Sequence, residues 1–225
     1  MVHWTSPAAG EISYVPFDSW DGLEDVQLYN VGGFHPVHLG DLLGARFEVI
    51  HKLGHGGFGI VWLCLDIVSR EWRAVKILAA DRSVAGGDED TMRYLTSQAS
   101  LKELEDNHIA PTLETFWIDG PNGWHFCSVM EVLGSTVADW SMGLDPLVPS
   151  AAANIKDACR QIAKGVQYLH KHGICHGDLR AHNVLMRLKG IDQLEKTQLL
   201  ELTGEPECYD VQVLRVTLHR ISRDY

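Results

Sequence analysis

The sequence predicts an α+β fold, in which a five-stranded antiparallel sheet with one helix is joined to a second, helical region. Three strand patterns follow one another within residues 47–78 with only short turns between them, and two more lie within residues 115–132. Short turns between successive strands favour antiparallel pairing. Over residues 150–172, apolar side chains then recur at three- and four-residue steps, the pattern of an amphipathic helix.

The individual elements follow from alternating apolar positions, turn residues and helix stop signals. We predict strands at residues 47–53, 60–67, 72–78, 115–119, 124–132 and 184–188, the last of them short and buried. Helices are predicted at 90–105, 150–172 and 191–202. Ser150 is a plausible N-cap and Gly173 a plausible stop for the second helix, while Gly204 and Pro206 end the third.

Composition limits the classes of function. The 225 residues are 45% hydrophobic, which is enough for a substantial core, and the net charge is −11. An acidic chain lacks the basic face that neutralises phosphates, so we expect no direct nucleic-acid partner. There is neither a signal-peptide pattern nor a run approaching 18 apolar residues, so no membrane association is expected. Five cysteines without a C-x-x-C pair favour reduced thiols inside the cell.

A glycine cluster lies between the first two predicted strands. Gly54, Gly56 and Gly59 form G-x-G-x-x-G, which Val61 extends to G-x-G-x-x-G-x-V. Glycines let backbone N–H groups approach phosphates without a Cβ clash. By itself the pattern fits an ordinary glycine turn equally well. A dinucleotide-binding turn needs a helix after the last glycine, whereas here a strand follows, which favours a nucleotide flap between two strands.

Two further segments fit a nucleotide site. Lys76 lies in the third predicted strand, 22 residues after Gly54, where it can reach α- and β-phosphates beneath the flap. The alternative is an exposed strand lysine. The stretch MEVLG, residues 130–134, is an apolar strand end that turns at glycine, and its backbone groups can line an adenine. Alone, it is an ordinary strand end.

The stretch HGDLRAHN, residues 176–183, comes directly after the predicted amphipathic helix. Asp178 can orient and deprotonate a hydroxyl, Asn183 can hold Mg²⁺, and Arg180 can stabilise the charge of a transferring phosphoryl group. An isolated H-x-D would be interpreted as a capped loop. The order and intervals of all four segments, from glycine loop to H-x-D-x-x-x-x-N, indicate phosphoryl transfer instead.

With these four segments in order, the chain resembles the eukaryotic protein kinase family from about residue 34 to residue 188. More specifically, FHPVHLGDLLGARFEVIHKLGHGGFGIVWLCLD and MEVLGSTVADW are similar to the SR-protein kinases, in a fungal-like form. The resemblance implies a protein-kinase-like fold and phosphoryl transfer from ATP, with Mg²⁺, to protein serines. Arg/Ser-rich proteins are the implied substrate class, and the cytoplasm or nucleus is the implied location. The oligomeric state stays open.

The resemblance also implies roles for single residues. Asp178 would be the catalytic base, with Arg180 beside it, and Asn183 would be a Mg²⁺ ligand. Lys76 would contact the α- and β-phosphates, and Met130 would be the gatekeeper. The remaining cofactor-binding positions are the phosphate flap, the adenine-sandwiching side chains and the adenine-edge backbone: Gly54, Gly56, Gly57, Gly59; Leu53, Val61, Ala74, Leu185; Glu131, Leu133.

Four positions depart from the kinase pattern. Gly177 replaces the Arg of H-R-D, which argues against control through a phosphorylated activation loop, and Arg180 replaces a Lys. The helix Glu that should pair with Lys76 is not obvious in the sequence, and Glu89 is the candidate. No Asp-Phe-Gly follows Asn183, so the chain is expected to end within the spacer that precedes that motif and to lack the rest of the second lobe.

These departures keep two other functions open. One is a catalytically dead, truncated fragment that binds nucleotide or a partner. The other is a small-molecule phosphotransferase of the aminoglycoside or choline kinase type, because those families also carry H-G-D-x-x-x-x-N. A metal site in HKHGICH is a weaker alternative, and His176 is better explained as a buried residue that braces the loop.

The predicted organisation has five segments. They are an N-terminal extension at 1–33, poorly ordered or loosely docked; a lead-in at 34–46; a kinase N-lobe at 47–133; a partial C-lobe at 134–190; and a spacer-like tail at 191–225. The helix at 150–172 would pack against second-lobe helices that these residues do not contain. We therefore predict an exposed apolar stripe along it.

Overall fold

The computed structural model describes residues 24–83 and 88–206, together with the backbone of two short strands at 11–14 and 213–217; the side chains of Asp88 and Glu89 lie outside the described part. The chain divides into two compact units. The sheet unit comprises residues 1–84, 114–129 and 192–225, and the helical unit comprises residues 85–113 and 130–191. The first strand, β1 (Glu11–Tyr14), pairs antiparallel with the last, β10 (Val213–Thr217).

All five predicted strands of the main sheet are confirmed, and a two-residue strand from the lead-in adds a sixth. The strands are β2 (Leu42–Leu43), β3 (Phe47–Gly56), β4 (Gly59–Asp66), β5 (Glu71–Leu78), β6 (Glu114–Gly120) and β7 (Gly123–Glu131). Their order in the sheet is β2-β3-β4-β5-β7-β6. β4 pairs with β5 over eight residue pairs with no bulge, so alternate side chains of both strands point to the same face.

One face of this sheet carries the main core. Trp62 and Cys64 of β4 and Val75 and Ile77 of β5 are fully buried there, in the alternating positions that the pleat requires. The residues that cover this face come from the segment before the strands: Tyr29, Phe34 and Val37. The residues between these buried positions in β4 and β5 therefore face away from the core.

The segment at residues 24–34 is docked, which corrects the prediction of a loose extension for these residues; residues 1–10 and 15–23 lie outside the described part. The Asn122 amide donates hydrogen bonds to the carbonyls of Tyr29 and Phe34, at 2.8 and 2.6 Å. These bonds tie the segment to the turn between β6 and β7. Sequence patterning missed this because short irregular segments have no period.

A buried carboxylate anchors the same segment beside the glycine cluster. The Glu24 side chain is only 3% exposed; it accepts a hydrogen bond from the Tyr29 hydroxyl at 2.6 Å and pairs with Lys52. Burial acts to raise the pKa of Glu24, but the hydrogen bonds from Lys52 and Tyr29 outweigh it and leave the pKa below its usual value. Lys52 lies two residues before Gly54, so this pair braces the start of the glycine cluster.

The helical unit contains four helices and a two-stranded ladder within the described residues. The helices are α1 (Asp88–Gln98), α2 (Leu101–Asp106), α3 (Val137–Met142) and α4 (Pro149–Lys171), and the ladder pairs β8 (Leu133–Thr136) with β9 (Leu185–Arg187). None of the described helices is both long and apolar enough to cross a membrane.

The single helix predicted at residues 90–105 is wrong, because two helices occupy that stretch. Ser100 has an extended backbone and its hydroxyl accepts a hydrogen bond from the Glu103 amide at 3.2 Å, which caps α2 and ends the continuity with α1. Leu95 of α1 and Leu104 of α2 are both fully buried against Tyr168 and Leu169 of α4. The two short helices therefore share one core with α4.

Helix α4 is confirmed, with a corrected start. It begins at Pro149 after Val148, so Ser150 is inside the helix and does not cap it. Proline suits the first helical position because its fixed φ is helical and its missing N–H has no helical partner there. Gly173 has a φ of +72° and ends the helix as predicted. The predicted exposed apolar stripe is present only in part: Ile155 is 43% exposed, whereas Val166 is half-buried and Leu169 is buried.

Helix α5 (Lys196–Thr203) is shorter than predicted, and the segment before it is docked on the sheet unit. Asp192 accepts a hydrogen bond from the Trp72 amide at 2.7 Å, and the carbonyl of Leu194 accepts one from the Trp72 indole at 3.0 Å. Leu199 is 2% exposed. Residues 192–203 are thus a packed part of the sheet unit.

Two histidines lie against each other in the sheet unit without full hydrogen bonding. The rings of His35 and His125 are 4.8 Å apart between centroids, and buried His35 Nδ1 and His125 Nε2 have no partner among the described residues. His125 Nδ1 lies 2.9 Å from the carbonyl oxygen of Leu78. Burial lowers the pKa of His35 to about 4, and burial also lowers the pKa of His125.

We expect the sheet unit to lose stability on acidification through these histidines. His35 has a folded-state pKa of about 4 against an ordinary 6.5, so its contribution is complete above 6.5 and is lost as the pH falls from there towards 4. The expected loss from His35 between pH 7.5 and 5 is about 2 kcal/mol. Urea unfolding followed by tryptophan fluorescence at both pH values measures it. In His35→Gln the acid loss should shrink; an unchanged loss would contradict the prediction.

Candidate functional site

The glycine cluster forms a tight hairpin in the sheet unit. β3 and β4 are joined by the two residues Gly57 and Phe58, with Gly56 paired to Gly59. The carbonyl of Phe58 accepts a hydrogen bond from the Ala79 amide at 3.0 Å, and the guanidinium of Arg82 lies 5.3 Å from the centre of the Phe58 ring. The hairpin tip is therefore fastened to the residues that follow β5.

Only one glycine of this hairpin is required by packing. A Cβ on Gly59 would lie 2.3 Å from the Ile77 carbonyl oxygen, so β4 can start there only with glycine. A Cβ on Gly54, Gly56 or Gly57 would meet nothing within 4 Å, and none of the three has a positive φ. The protein itself thus gives no steric or conformational reason for these three glycines. They leave open backbone that a bulky anionic group can approach.

Three of the predicted site residues form a row across the sheet. Gly54 pairs with Val61, and Val61 pairs with Lys76. Directly paired residues lie on the same face. Val75 and Ile77, on either side of Lys76, belong to the buried core, so Lys76 and Val61 face the other way, as does Ala74. The first glycine, the valine and the lysine therefore lie side by side on one face.

Lys76 is half-buried and has no ion pair with a described residue of the sheet unit. The side chain of Glu89, its predicted partner, lies outside the described part. The later glutamates of the helical unit have other partners: Glu103 accepts a hydrogen bond from the Tyr168 hydroxyl at 3.1 Å, and Glu105 pairs with Arg187 at 3.1 Å. The identity of the residue that pairs with Lys76 stays a prediction.

The MEVLG stretch leads from β7 into the ladder of the helical unit. Met130, Glu131 and Leu133 are half-buried, and Leu133 is paired with Arg187 of β9. Leu185, two residues earlier in β9, is 46% exposed, so the prediction of a buried strand is wrong there. An apolar side chain left exposed beside a backbone turn can contact a flat apolar ligand. Leu53, in the sheet unit, is also exposed.

The HGDLRAHN loop holds its two key side chains together. The Asn183 amide nitrogen lies 2.6 Å from Asp178 Oδ2 and 2.9 Å from the Asp178 carbonyl oxygen. A short 3₁₀ turn over Ala181–Asn183 brings Asn183 back towards Asp178. Arg180 Nε lies 3.6 Å from Asp178 Oδ1. The five-residue spacing therefore produces direct contact between the carboxylate and the amide.

This arrangement leaves two oxygens available for chemistry. The Asn183 amide nitrogen points at Asp178, and the Asn183 side-chain oxygen has no hydrogen bond with a described residue. That oxygen can therefore ligate a hard cation. Asp178 is exposed, so its carboxylate can accept a proton from an incoming hydroxyl. Arg180 adds a positive charge at the same place.

A sequence model of the protein kinase domain family matches residues 47–195, which is 149 of the 225 residues. This chain belongs to the protein kinase family. The match decides against the small-molecule phosphotransferases that the H-G-D sequence had left open. The glycine loop, the strand lysine and the H-x-D-x-x-x-x-N stretch all lie within the matched residues.

The curated relatives are SR-protein kinases and similar enzymes. SRSF protein kinase 3 of Homo sapiens is 34% identical over 171 residues, which cover 72% of this chain and 29% of that protein. Protein kinase dsk1 of Schizosaccharomyces pombe is 32% identical over 188 residues, covering 81% of this chain and 34% of that protein. Serine/threonine-protein kinase SKY1 of Saccharomyces cerevisiae is 31% identical, covering 75% and 24%. The chain spans about a third or less of each relative.

Among solved structures, a crystal structure of a kinase domain aligns with a TM-score of 0.48 and 27% identity, and the alignment covers 68% of this chain and 43% of that one.

At the start of the loop, one residue has a backbone conformation suited to glycine, and another is more exposed than predicted. Gly177, which replaces the usual Arg, has a φ of +77°, a backbone conformation that glycine adopts without strain. His176 is exposed, so the prediction of a buried loop-bracing histidine is wrong; its Nδ1 still lies 3.4 Å from the Asp178 amide. Within the described residues, no group of three or more His, Cys, Asp or Glu side chains is placed to hold a metal.

Sequence reasoning missed Arg187, which contacts two carboxylates of the helical unit. Its guanidinium nitrogen lies 2.9 Å from Glu131 and 3.1 Å from Glu105. The available signal was a single arginine in the otherwise apolar run VLMRL, where a buried strand would not carry an unpaired charge.

Substitutions at two glycines test the packing argument for the hairpin. We expect Gly59→Ala to destabilise the chain by about 1–3 kcal/mol, because the new methyl group meets backbone that cannot move aside. Gly56→Ala is the matched control, with an expected change within about 0.5 kcal/mol. Urea unfolding measures both. Equal destabilisation by the two substitutions would contradict the packing argument.

Proposed function

We propose that this chain carries the nucleotide-binding and catalytic-loop residues of a serine/threonine protein kinase of the SR-protein kinase type, which transfers a phosphoryl group from Mg-ATP to a protein serine. The main support is the hairpin at residues 54–59. Three of its four glycines have no role in packing or backbone conformation, and its first glycine lies in one row with Lys76. An anionic ligand over this row accounts for both features.

The residues fit the phosphates of ATP. The hairpin backbone is open to approach at Gly54, Gly56 and Gly57, where a Cβ would meet nothing, and Lys76 is half-buried with no carboxylate partner in the described sheet unit. A half-buried cation gains stability from an anionic neighbour. Lys76 would therefore contact the α- and β-phosphates.

The adenine would be held by apolar side chains and by backbone groups. Val61 and Ala74 lie on the same face as Lys76, and Leu53 and Leu185 are exposed apolar side chains. Met130 would be the gatekeeper, with backbone groups of Glu131 and Leu133 at the adenine edge. These assignments follow the kinase family pattern.

In the loop, Asp178 would accept the proton of the serine hydroxyl and Asn183 would be a Mg²⁺ ligand through its free side-chain oxygen. Bound Mg²⁺ supplies positive charge that offsets the charge of the phosphates. Arg180 would stabilise the phosphoryl group during transfer, since its charge is already beside Asp178. Asn183 donates to Asp178, which keeps that carboxylate oriented.

The proposed substrates are Arg/Ser-rich proteins inside the cell, in the cytoplasm or nucleus. Support comes from the similarity to SR-protein kinases and from the net charge of −11, which attracts basic segments. Of the five cysteines, the four described ones are free thiols, which fits a reducing compartment.

A second candidate is binding of nucleotide or of a partner without phosphoryl transfer. Kinases hold their metal ions with the Asp of an Asp-Phe-Gly motif as well as with the loop Asn, and the 225 residues that the tests would use contain no such motif after Asn183. Binding and transfer therefore need separate tests.

Nucleotide binding is tested by thermal shift with Mg-ATP. We expect a rise in the melting temperature of the unmodified chain, corresponding to about 2.7 kcal/mol at a nucleotide concentration 100 times the Kd. Lys76→Met should abolish the rise because the phosphates lose their cation. Lys102→Met, which removes an exposed lysine of α2, is the control and should keep it. No shift in the unmodified chain would refute the nucleotide site.

Phosphoryl transfer is tested with radiolabelled ATP and an Arg/Ser peptide. We expect transfer by the unmodified chain and a fall of at least about 100-fold in Asp178→Asn, because the amide cannot accept the hydroxyl proton. Asp157→Asn, at an exposed carboxylate of α4, is the control and should leave the rate unchanged. Nucleotide binding without any transfer at high protein concentration would favour the second candidate.

A further inference from the structure

Arg187 connects three elements of the helical unit. It lies in β9, directly after the catalytic loop, and its backbone is paired with Leu133 of β8. Its guanidinium lies 2.9 Å from Glu131 at the end of β7 and 3.1 Å from Glu105 of α2. One side chain thus links the adenine-edge segment, the strand after the loop and a helix.

The charges around Arg187 are arranged as a small network. A guanidinium has several donors in a fixed plane, so it can serve two carboxylates at once, which a lysine cannot do equally well. Burial by itself would lower the pKa of Arg187, but the hydrogen bonds and charges of Glu131 and Glu105 outweigh it and raise the pKa. Since all three side chains are partly exposed, each single contact is weak. Any stabilisation by the network therefore comes from the two contacts together.

The pairing between β8 and β9 is irregular, so a contact from outside the ladder can stabilise it. Only Leu133–Arg187 and Thr136–Leu185 are paired, with a register shift between them. Gly134 lies in the irregular part, where a Cβ would be 3.0 Å from the Leu188 side chain. A ladder of only two pairs with a glycine between them specifies its register weakly. The contact from Arg187 to Glu131 fixes the register from outside the ladder.

We propose that Arg187 is a positioning residue for adenine, which it serves by holding β9 and its Leu185 in register against the Glu131–Leu133 backbone. This inference rests on the proposed nucleotide site and adds a residue to it. Arg187 and Leu185 are two residues apart in β9, so they lie on the same face, and a slip of one would move the other. The contact to Glu105 keeps the guanidinium in place while it holds Glu131.

The test separates the adenine part from the phosphate part of nucleotide binding. Arg187→Met should weaken binding of adenosine and of ATP by about threefold to tenfold. Binding of inorganic tripolyphosphate should not change, because the glycine hairpin and Lys76 are in the other unit. Arg187→Lys should recover part of the adenosine affinity. Arg160→Met removes an exposed arginine of α4 with a single carboxylate partner and is the matched control.

Amide hydrogen exchange without any nucleotide is the second measurement. Arg187→Met should speed exchange at residues 131–136 and 185–187, and Arg160→Met should not. Unchanged exchange, or equal losses of adenosine and tripolyphosphate binding, would overturn the inference. If exchange speeds up while the unmodified chain binds no nucleotide at all, the proposed function fails but the positioning of β9 by Arg187 stands.

Discussion

The unbroken pairing of β4 with β5 is the constraint on which the sheet unit depends. Eight residue pairs run without a bulge from Gly59–Leu78 to Asp66–Glu71. Because side chains alternate, a shift of one residue would send Lys76 into the core and bring Val75 out. The burial of Trp62, Val75 and Ile77 opposes that shift, and so does the close approach of Gly59 to the Ile77 carbonyl. The position of Lys76 is therefore a consequence of core packing on the opposite face.

The same sheet is also held by segments that are distant in sequence. Glu24 pairs with Lys52 beside the glycine cluster, and Asp192 and Leu194 accept hydrogen bonds from Trp72. Glu24 and Trp72 are buried, so removing a partner of either one leaves a buried polar group unsatisfied. The packed part of the sheet unit thus includes residues before the first main strand and residues after the HGDLRAHN loop. The hairpin tip, by contrast, keeps open space around three glycines.

In the helical unit, the Asp178–Asn183 contact and the β8–β9 ladder depend on contacts of different range. The Asp178–Asn183 contact is local and follows from a single 3₁₀ turn after the glycine stop of α4. The β8–β9 ladder has only two pairs, and its Arg187 contacts carboxylates from two other elements. Local spacing is sufficient for the first feature, whereas the second requires three segments to meet.

The sequence by itself determined the strands of the sheet, helix α4, the glycine hairpin and the contact-forming spacing of Asp178 and Asn183, because each depends on a period or on neighbours within about six residues. It also indicated the kinase family, through the order of its motifs. Tertiary structure alone decided the docking of residues 24–34 and 192–203, the break at Ser100 and the role of Arg187. Those features arise from contacts between segments far apart in the chain, and no local pattern encodes such contacts.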